Sequence, residues 1–401
     1  MEIKSLDKHI SEIQGKVVFL RVDFNVPLEK GGIGEERKII ATLPTIRFLL
    51  RYNCKIVIAT HLGRPGGKVN KKFSTRVLAN RLNQLLKDGE EKNLVDFSSQ
   101  ITGEKVLKKI KKIFEKSEKR IVFLENLRFN KGEKENSRIF AKKLAKLGQV
   151  YINEAFSVSH RNHASVGAIK DYLPSFAGFL LKKEIENLGF LKNPRKPLIT
   201  IMGGVKVKTK DDLIQALLPR SEKVLLGGAL ANSFLAGQNY QVGKSLIEEE
   251  SLDLARKYFK KYPEKILLPL DAVVTTQKDG SGVAKVKKIT EIGEKDYIYD
   301  IGPDTVRVYS KQIRRAQTLI WNGPLGWFEK KSFNQGSLIL ARLIAQKSRG
   351  QVFGVAGGGE TVEVLKESGM IDYLDWVSTG GGAMLTFLGG GKMPGLKGLV
   401  R

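Results

Sequence analysis

The sequence contains little cysteine and histidine, the residues that most often form disulfides or hold transition metals. Among 401 residues there are one cysteine and four histidines. The single Cys54 excludes a disulfide within the chain, so nothing in the sequence requires an oxidising compartment. Because Cys54 leads into an apolar strand, we expect a buried thiol that takes no part in chemistry.

Long hydrophobic runs are also missing. None reaches the roughly 18 residues that a membrane-spanning helix requires. The first residues, MEIKSLDKHISEIQGK, mix charges and lack the apolar core of a secretory signal. We therefore expect a cytoplasmic protein without a membrane partner.

Two common nucleotide-binding motifs are absent as well. No GxGxxG sequence occurs. The segment GQNYQVGKS, which starts at Gly237, has five residues between its glycines where a P-loop has four. The sequence therefore gives no support for a P-loop or for a dinucleotide-binding loop, and it shows neither repeats nor low-complexity tracts.

Acidic residues are outnumbered by basic ones, 42 to 69, which gives a net charge of +27. A field of this sign favours anionic partners, and both nucleic acid and a small polyphosphate fit it. The hydrophobic fraction of 41% is ordinary for a globular protein with a buried core. At about 150 residues per domain, the length favours two or three domains.

Short apolar runs alternate with amphipathic segments along the chain. This alternation is typical of an α/β fold in which parallel sheets carry helices on both faces, and the length fits two such sheets. One segment, Glu104–Arg120, predicts a helix whose buried face carries Val106, Leu107, Ile110, Ile113 and Phe114. The runs that predict strands are Val17–Leu20, Ile56–Ala59, Ile121–Leu124, Val150–Ile152, Leu198–Ile201, Val224–Leu226, Ile266–Leu268, Leu319–Trp321 and Val352–Val355.

In the first half, polar segments follow the predicted strands. Because ligands bind outside the carboxyl ends of parallel strands, we expect these segments to form one binding surface. Arginine suits such a surface, since its planar fork binds carboxylate and phosphate with two hydrogen bonds. The set predicts a site for a small acid that carries phosphate and hydroxyl groups. Its members are Arg21, Asp23, Asn25, His61, Arg64, Arg128, His160, Arg161 and His163.

These residues allow two other interpretations. For any one of them the alternative is a structural salt bridge. The histidines could instead indicate a metal site, but their neighbours are arginines rather than cysteines or further carboxylates, which disfavours zinc.

In the second half, glycine-rich turns follow the predicted strands. GGVKVKTK, from Gly203 to Lys210, and GGGET, from Gly357 to Thr361, each precede a helical pattern. Because glycine has no side chain, its backbone amide can approach a phosphate closely. The positive potential at a helix N-terminus also favours the phosphate. Gly380–Gly382 makes a third such turn. Together they predict a phosphate site, with Lys206 and Lys210 as mobile cations and Glu360 as a carboxylate for Mg²⁺.

Taken together, the motifs resemble those of phosphoglycerate kinases over essentially the full length of the chain. The matching segments occur in the same order and at the same spacing. They are RVDFNVP (Arg21–Pro27), HLGRP (His61–Pro65), ENLRF (Glu125–Phe129), HRNHAS within Asn153–Ser165, GGVKVKTK, DIGPDT (Asp300–Thr305), IWNGPLGWFE (Ile320–Glu329), GGGET and STGGGA (Ser378–Ala383).

The resemblance implies the reversible reaction 1,3-bisphosphoglycerate + ADP ⇌ 3-phosphoglycerate + ATP of glycolysis and gluconeogenesis, with Mg²⁺ and with direct in-line transfer after domain closure. It also implies a monomer of two Rossmann-like domains, each a mostly parallel sheet with helices on both faces, joined by a hinge helix. On this basis we predict a phosphoglycerate-binding domain over residues 1–170, to which residues 388–401 return. The interdomain helix is predicted over 171–190 and the nucleotide-binding domain over 191–387.

Roles carried over by motif fall into three sets. The implied catalytic residues are Lys38, Lys206, Gly359 and Gly382. The implied phosphoglycerate-binding residues are Asp23, Phe24, Asn25, Lys38, His61, Arg64, Arg128 and Arg161. The implied nucleotide-binding residues are Gly204, Lys206, Lys210, Gly228, Asn322, Pro324, Gly326, Glu329, Gly357, Gly358, Gly359, Glu360 and Thr361, with Glu360 also at the metal.

The chain departs from the family pattern at several positions, and Lys38, Glu360 and Glu154 are among them. Lys38 stands where the family has its transition-state arginine, with Arg37 beside it; lysine keeps the charge but loses the planar fork. Glu360 and Glu154 stand where the family usually has Asp. We predict that Lys38 keeps the role, with two alternatives: Arg37 reaches the site after a register change, or turnover is impaired.

A degenerate homologue that binds nucleotide with impaired turnover is therefore one alternative function. A nucleic-acid-binding protein is another, suggested by the charge of +27. The arginines, however, follow strands singly rather than forming a stripe, and no nucleic-acid-binding motif is present. We therefore expect phosphoglycerates and ATP or ADP as partners, and no specific nucleic acid.

Overall fold

The computed structural model describes residues 2–29, 32–87 and 94–400. The chain divides into two compact units: Met1–Gly189 together with Lys392–Arg401, and Phe190–Gly391. We call them the first and the second unit. The predicted boundaries, at residues 170, 190 and 387, differ from these. The hinge helix, its closure and the substrate assigned to each domain stay predictions.

The first unit is built on a six-stranded parallel sheet with the order β5-β6-β4-β1-β7-β8. A short antiparallel pair, β2 and β3, lies outside it. Its strands are β1 (Val17–Arg21), β2 (Leu28–Glu29), β3 (Gly32–Ile33), β4 (Lys55–Ala59), β5 (Val95–Ser98), β6 (Ile121–Leu124), β7 (Val150–Asn153) and β8 (Ser175–Ala177). Its helices are α1 (Ile10–Ile13), α2 (Arg37–Arg51), α3 (Arg76–Lys87), α4 (Glu104–Lys116), α5 (Lys131–Lys134), α6 (Arg138–Ala145) and α7 (Phe179–Phe190).

Alternation along the central strands explains why both faces of this sheet are covered. Successive side chains of a strand point to opposite faces. In β1, Val18 and Leu20 belong to one buried cluster, whereas Phe19 belongs to another. In β4, Ile58 and Val57 divide between the clusters in the same way. Apolar residues on both sides of each strand therefore require helices on both faces.

The second unit also contains a six-stranded parallel sheet, with the order β11-β10-β9-β15-β16-β17. A three-stranded antiparallel sheet, β13-β12-β14, accompanies it. The strands are β9 (Leu198–Met202), β10 (Lys223–Leu226), β11 (Ile266–Leu267), β12 (Asp271–Thr275), β13 (Lys285–Lys288), β14 (Tyr297–Ile301), β15 (Thr318–Asn322), β16 (Phe353–Gly357) and β17 (Trp376–Ser378). The helices are α8 (Asp211–Leu217), α9 (Gly228–Gly237), α10 (Leu252–Lys261), α11 (Pro303–Arg315), α12 (Gln335–Ser348), α13 (Gly359–Glu367) and α14 (Gly381–Leu388).

The C-terminal segment of the first unit packs against its N-terminal segment. Ile3 and Val400 form an antiparallel bridge, and the Lys4 backbone N–H donates to the carbonyl of Leu399 at 2.9 Å. Further along, the Asn153 side chain donates to the carbonyl of Gly395 at 3.1 Å. The last residues of the chain are thereby tied to the end of β7.

The predicted α/β architecture with two parallel sheets is confirmed, and each of the nine predicted runs forms a strand. The prediction for Leu107 was wrong: it is 36% exposed, while Val106, Ile110 and Ile113 are buried as expected. Leu107 follows Val106 directly and is rotated about 100° around the helix from it, which places it at the border of the apolar stripe. Cys54 is fully buried, and burial raises the pKa of its thiol. No helix in the described ranges is long and apolar enough to cross a membrane.

Candidate active site

The first candidate site lies at the carboxyl ends of the central strands of the first unit. Arg21 ends β1, His61 follows β4, Arg128 lies in a turn after β6, and Arg161 follows β7. Lys38 joins them from the first turn of α2. We call Arg21, Asp23, Lys38, His61, Arg128 and Arg161 the basic cluster.

Asp23 lies at the centre of the basic cluster and is 8% exposed. Lys38 Nζ donates to Asp23 Oδ2 at 2.8 Å, and the Ser157 hydroxyl donates to the same oxygen. Burial alone would raise the pKa of Asp23, but the charge of Lys38 and the hydrogen bonds from Lys38 and Ser157 outweigh it and lower the pKa. Asp23 is therefore ionised at neutral pH and fixes the ammonium group of Lys38.

Arg128 is almost fully buried, yet its guanidinium is only partly used. Nη1 donates to the carbonyl of Gly63 at 2.7 Å, while Nε and Nη2 are buried without a partner among the described residues. Burial, followed by the charges of Arg161 and Arg21, lowers the pKa of Arg128 to about 10. A buried cation with free donors beside two other cations is energetically costly unless an anion binds there.

Arg21 is held by a framework beneath the surface of the cluster. Its Nε donates to Ser165 Oγ at 2.8 Å, and Ser165 Oγ donates in turn to Glu133 Oε1 at 2.7 Å. Arg21 and Glu133 are both fully buried. Glu133 and Ser165 were not predicted as site residues, because residues that lie so far from Arg21 in sequence leave no local pattern.

His61 and His163 do not add positive charge to this region at neutral pH. Burial, and then the charges of the neighbouring arginines, lowers the pKa of His163 to about 3 and that of His61 well below its usual value. His61 and His163 are therefore neutral at neutral pH, and the cationic groups are arginines and lysines. As a neutral group, His61 accepts a hydrogen bond at Nδ1 from Arg21 Nη2 at 3.4 Å.

The remaining predicted residues of this site differ in position. Asn25 Oδ1 accepts a hydrogen bond from the backbone N–H of Gly63 at 2.8 Å, which ties two segments of the site together. The Arg64 side chain is exposed, and Arg161 is half-buried. The Phe24 ring lies in the core, so a contact of Phe24 with a ligand would have to come from its backbone.

The second candidate site is a cavity of about 650 Å³ in the second unit, which we call the large cavity. Predicted residues that line it are Gly204, Gly228, Pro324, Gly326, Glu329 and Glu360. Predicted residues that do not line it are Lys206, Lys210, Asn322, Gly357, Gly358, Gly359 and Thr361. Among these, Lys206 is exposed, whereas Thr361 is buried and accepts a hydrogen bond at Oγ1 from Gly323 N at 2.7 Å.

Lys210 and Asn322 form a buried pair behind the cavity. Lys210 Nζ donates to the side-chain oxygen of Asn322, and Asn322 Nδ2 donates to the carbonyl of Gly357 at 2.7 Å. Burial lowers the pKa of Lys210 to about 8, and the nearby Glu360 acts against this. Lys210 is therefore mainly charged at neutral pH, in a place where a bound anion would be strongly favoured.

Several glycines allow the backbone segments of this site to approach one another. Gly204 has φ +84°, and a Cβ there would lie 3.6 Å from both Glu360 Oε2 and Lys210 Cε. A Cβ at Gly381 would lie 3.5 Å from the Cα of Gly358. The glycine-rich starts of α13 and α14 are therefore adjacent, which brings their free amides together.

One wall of the large cavity was not predicted. It consists of Tyr297, Tyr299 and Trp327, which we call the aromatic wall. The two tyrosine rings stack with centroids 5.8 Å apart, and Trp327 meets Tyr299 edge-on at 4.9 Å. All three are partly exposed, which is unusual for aromatic residues that fill a core and is typical of a binding surface.

Metal binding can be judged from the acidic residues of the site. Within the described ranges, no three His, Cys, Asp or Glu side chains form a group that could hold a metal ion. Glu360 is an exposed carboxylate on the cavity beside Lys210. One carboxylate fits Mg²⁺ that is held mainly by phosphate oxygens, and it does not fit a metal held by protein ligands alone.

Comparison with known proteins agrees with this arrangement. A sequence model of the phosphoglycerate kinase family matches residues 8–391. A phosphoglycerate kinase of Borreliella burgdorferi (strain ZS7) is 40% identical over 401 residues, covering 99% of each chain, and one of Finegoldia magna is 38% identical, covering 96% of each. The solved phosphoglycerate kinase of Coxiella burnetii is 35% identical with a TM-score of 0.82, and that of Pyrococcus horikoshii OT3 is 29% identical with the same TM-score; each match covers 96% of both chains. The chain therefore belongs to the phosphoglycerate kinase family.

Proposed function

We propose that the basic cluster binds the glycerate and its non-transferred phosphate, and that the large cavity binds ATP or ADP. The reaction follows from family membership: a phosphoryl group passes reversibly between 1,3-bisphosphoglycerate and ADP. The bond between phosphorus and the carboxyl oxygen breaks, and a bond between phosphorus and the terminal oxygen of ADP forms. Such a transfer needs positioning and charge stabilisation and no covalent enzyme intermediate.

The observation that supports this proposal is that the buried guanidinium of Arg128 is only partly hydrogen-bonded. Two of its nitrogens are buried without a partner in the described part of the chain, and the charges of Arg161 and Arg21 act on the same group. A phosphate or carboxylate placed there would satisfy the free donors and offset the repulsion between these arginines. Neutral His61 and Asn25 can add hydrogen bonds that a hydroxyl-bearing acid requires.

Lys38 is the proposed contact to the migrating group. Its side chain is 21% exposed and its ammonium lies 2.8 Å from Asp23 Oδ2, so the group is fixed in place and still reachable. A lysine can stabilise the charge on the phosphoryl oxygens as a point charge, although without the two-pronged geometry of arginine. The position therefore keeps a fixed cation, which supports a competent enzyme over the degenerate homologue with impaired turnover.

On the nucleotide side, Lys206, Lys210 and the amides of Gly359 and Gly382 are proposed to bind the phosphates. Mg²⁺, when bound with the nucleotide, would neutralise charge on the phosphate oxygens, and Glu360 is the carboxylate that would hold it. Asn322 positions Lys210, and the aromatic wall offers apolar surface for the base. Glu329, at the edge of the same cavity, is proposed to bind the ribose.

The test is a coupled assay of the full chain with 3-phosphoglycerate and MgATP, together with calorimetric titration of each substrate alone. We expect turnover and saturable binding of both. Binding of nucleotide without turnover by a folded protein would support the degenerate homologue instead. Failure of 3-phosphoglycerate to bind would contradict the role given to the basic cluster.

The assembly and location of the chain are also proposals. We propose a monomer that acts in the cytoplasm and does not depend on nucleic acid. Light scattering at several protein concentrations should give the mass of one chain, 44.7 kDa. A mass that doubles with concentration would contradict the monomer.

A further inference from the structure

A second cavity, of about 540 Å³, lies in the first unit. Four parts of the chain form its walls: the N-terminal segment, the start of α6, the segment that leads into β8, and the C-terminal segment. Its charged lining residues are Lys4, Arg138, Lys170, Asp171 and Lys397. We call it the second cavity.

The second cavity is distinct from the basic cluster. None of the cluster residues lines it. Ser175, which begins β8, is one of its lining residues, so this wall lies at the amino end of a strand, whereas the basic cluster follows carboxyl ends. A ligand of the second cavity would therefore bind outside the proposed phosphoglycerate site.

The charge in the second cavity is strongly unbalanced. Four cationic side chains face one carboxylate, Asp171, which pairs with Arg138 at 3.0 Å. Asp171 offsets one of the four positive charges, which leaves an excess of three. A concave surface with three cations in excess concentrates anions from solution.

Lys170 places a fixed positive charge in one wall of the second cavity. Its Nζ donates to the carbonyls of Pro394 at 2.6 Å and Lys397 at 2.8 Å, which holds the ammonium in place against the C-terminal segment. Burial lowers the pKa of Lys170 to about 8; the charge of Lys397 acts in the same direction, and Asp171 acts against it. An anion beside Lys170 would relieve this repulsion.

Two side-chain amides complete the polar lining. Asn136 Nδ2 donates to Asn162 Oδ1 at 3.0 Å, and both residues line the cavity. This contact leaves one N–H of Asn136 and the amide group of Asn162 able to donate to a ligand. The cavity therefore presents ammonium, guanidinium and amide donors together, a combination suited to phosphate oxygens.

We propose that the second cavity is a binding site for a small polyanion that carries two or more phosphate groups. The volume lies within the range of small-molecule sites and exceeds what one phosphate would fill. A single phosphate could contact only part of the set that spans Lys4, Arg138, Lys170 and Lys397. Two or more linked phosphates match the number and the spread of the cations.

The experiment uses inorganic tripolyphosphate as the probe, titrated calorimetrically into the full chain at 150 mM salt. The test variant is Arg138→Gln with Lys397→Gln. The matched control is Lys142→Gln with Lys143→Gln, which removes the same charge from exposed positions on α6. A third variant, Arg64→Gln with Arg161→Gln, reports binding of the probe in the basic cluster. Circular dichroism verifies that each variant is folded.

We expect a saturable site that the test variant weakens at least tenfold and the control variant changes less than threefold. Orthophosphate should bind at least tenfold more weakly than tripolyphosphate. Equal losses in test and control variants would show only the general field of the protein and would overturn the proposal. It would also be overturned if only the Arg64/Arg161 variant lost binding, if orthophosphate bound equally well, or if no saturable binding occurred.

Discussion

At the scale of single residues, Lys38 stands at the position where the resemblance to the family implies an arginine. Its ammonium donates to Asp23 at 2.8 Å, so the position is cationic and placed beside the proposed substrate. We expect Lys38→Ala to lower kcat about 100-fold or more, the usual effect of removing one group that stabilises transition-state charge. Lys38→Arg should retain or raise kcat, because the planar fork can bind two phosphoryl oxygens.

The control for this pair is Arg37→Ala, measured in the same coupled assay. We expect it to change kcat less than threefold, because Arg37 is the neighbouring residue on α2 and lies about 100° away around the helix. If Arg37→Ala costs as much as we expect for Lys38→Ala, and Lys38→Ala costs nothing, then the assignment of this position is wrong.

Arg128 should show a conflict between function and stability. Replacing it by Met removes the proposed substrate contact, so KM for 3-phosphoglycerate should rise at least tenfold. The same change removes a buried charge that is repelled by Arg161 and Arg21, so the melting temperature without ligand should not fall. The coupled assay measures KM, and differential scanning fluorimetry measures the melting temperature with and without 3-phosphoglycerate, since ligand stabilises only the form that binds it. A large loss of stability with KM unchanged would mean that Arg128 is structural.

At the scale of secondary-structure elements, the aromatic wall is the feature that matters most for nucleotide binding. It joins β14, which carries Tyr297 and Tyr299, to the turn after β15 that carries Trp327. Stacking of a base on an aromatic side chain is worth about 1–3 kcal/mol. We expect Trp327→Val to raise KM for ATP between about 5-fold and 100-fold and to leave KM for 3-phosphoglycerate unchanged.

Tryptophan fluorescence gives an independent readout of the same prediction. Adding ATP should quench the emission of the unmodified protein and should have little effect on Trp327→Val, because Trp321 is fully buried and Trp376 does not line the cavity. Trp376→Phe is the matched control and should keep the quenching. Quenching that persists in Trp327→Val would place the base elsewhere.

How far the sequence predicts these elements depends on the kind of signal. Continuous apolar runs such as Ile121–Leu124 identify buried parallel strands, because both faces of such strands must be apolar. Motifs carried by one turn, such as the segment around Arg128, locate site residues well. The contact of Arg21 with Ser165 joins residues 144 positions apart, and no local period reveals it.

Other features of the structure could not be predicted from the sequence for a related reason. The charge state of His163 depends on burial and on arginines from other strands, and neither is visible in the segment HRNHAS. The strands β12, β13 and β14 form an antiparallel sheet, and none of them was predicted. In β13 the single apolar residue, Val286, lies among lysines, so no apolar run marks that strand. The aromatic wall needed the folded position of β14 beside the turn after β15.

At the scale of the whole molecule, titratable groups are divided unequally between the two units. All four histidines lie in the first unit, and all three tryptophans lie in the second. Each unit also holds a buried carboxyl group whose pKa burial raises to about 7: Glu154 in the first and Asp300 in the second. The two units should therefore respond differently to acid.

In the first unit, the histidines determine whether the free energy of unfolding rises or falls as the pH is lowered. His61, His160 and His163 have lowered pKa values in the folded state, so unfolding takes up protons once the pH falls below about 6.5. The free energy of unfolding should therefore fall as the pH is lowered. Glu154 acts in the opposite sense between its ordinary pKa and about 7, but one carboxyl group offsets only one histidine. The net result is a first unit that loses stability between pH 7 and pH 5.

In the second unit there is no histidine, and Asp300 acts without this opposition. Its folded pKa is raised to about 7, so the folded state binds a proton more tightly than the unfolded state does. The stabilisation that protonated Asp300 contributes is fully present below the ordinary pKa of an aspartate, and it is lost as the pH rises through about 7. Lowering the pH from 7.5 to 5.5 should thus raise the free energy of unfolding of this unit, by up to about 1.4 kcal/mol per pH unit below 7.

The stability of each unit can be measured with a probe that reports on that unit alone. Urea unfolding followed by tryptophan fluorescence reports the second unit, and hydrogen exchange of peptides from β1 and β4 reports the first after correction for intrinsic rates. We expect the fluorescence midpoint to rise and the protection of β1 and β4 to fall as the pH is lowered from 7.5 to 5.5. Asp300→Asn should remove the rise and leave the behaviour of β1 and β4 unchanged, because the substitution removes the only proton that the second unit gains in this range with a pKa near 7 among the described residues. If both probes instead moved together in the unmodified protein, the two units would unfold as one cooperative body and the division of charge between them would have no separate effect on stability.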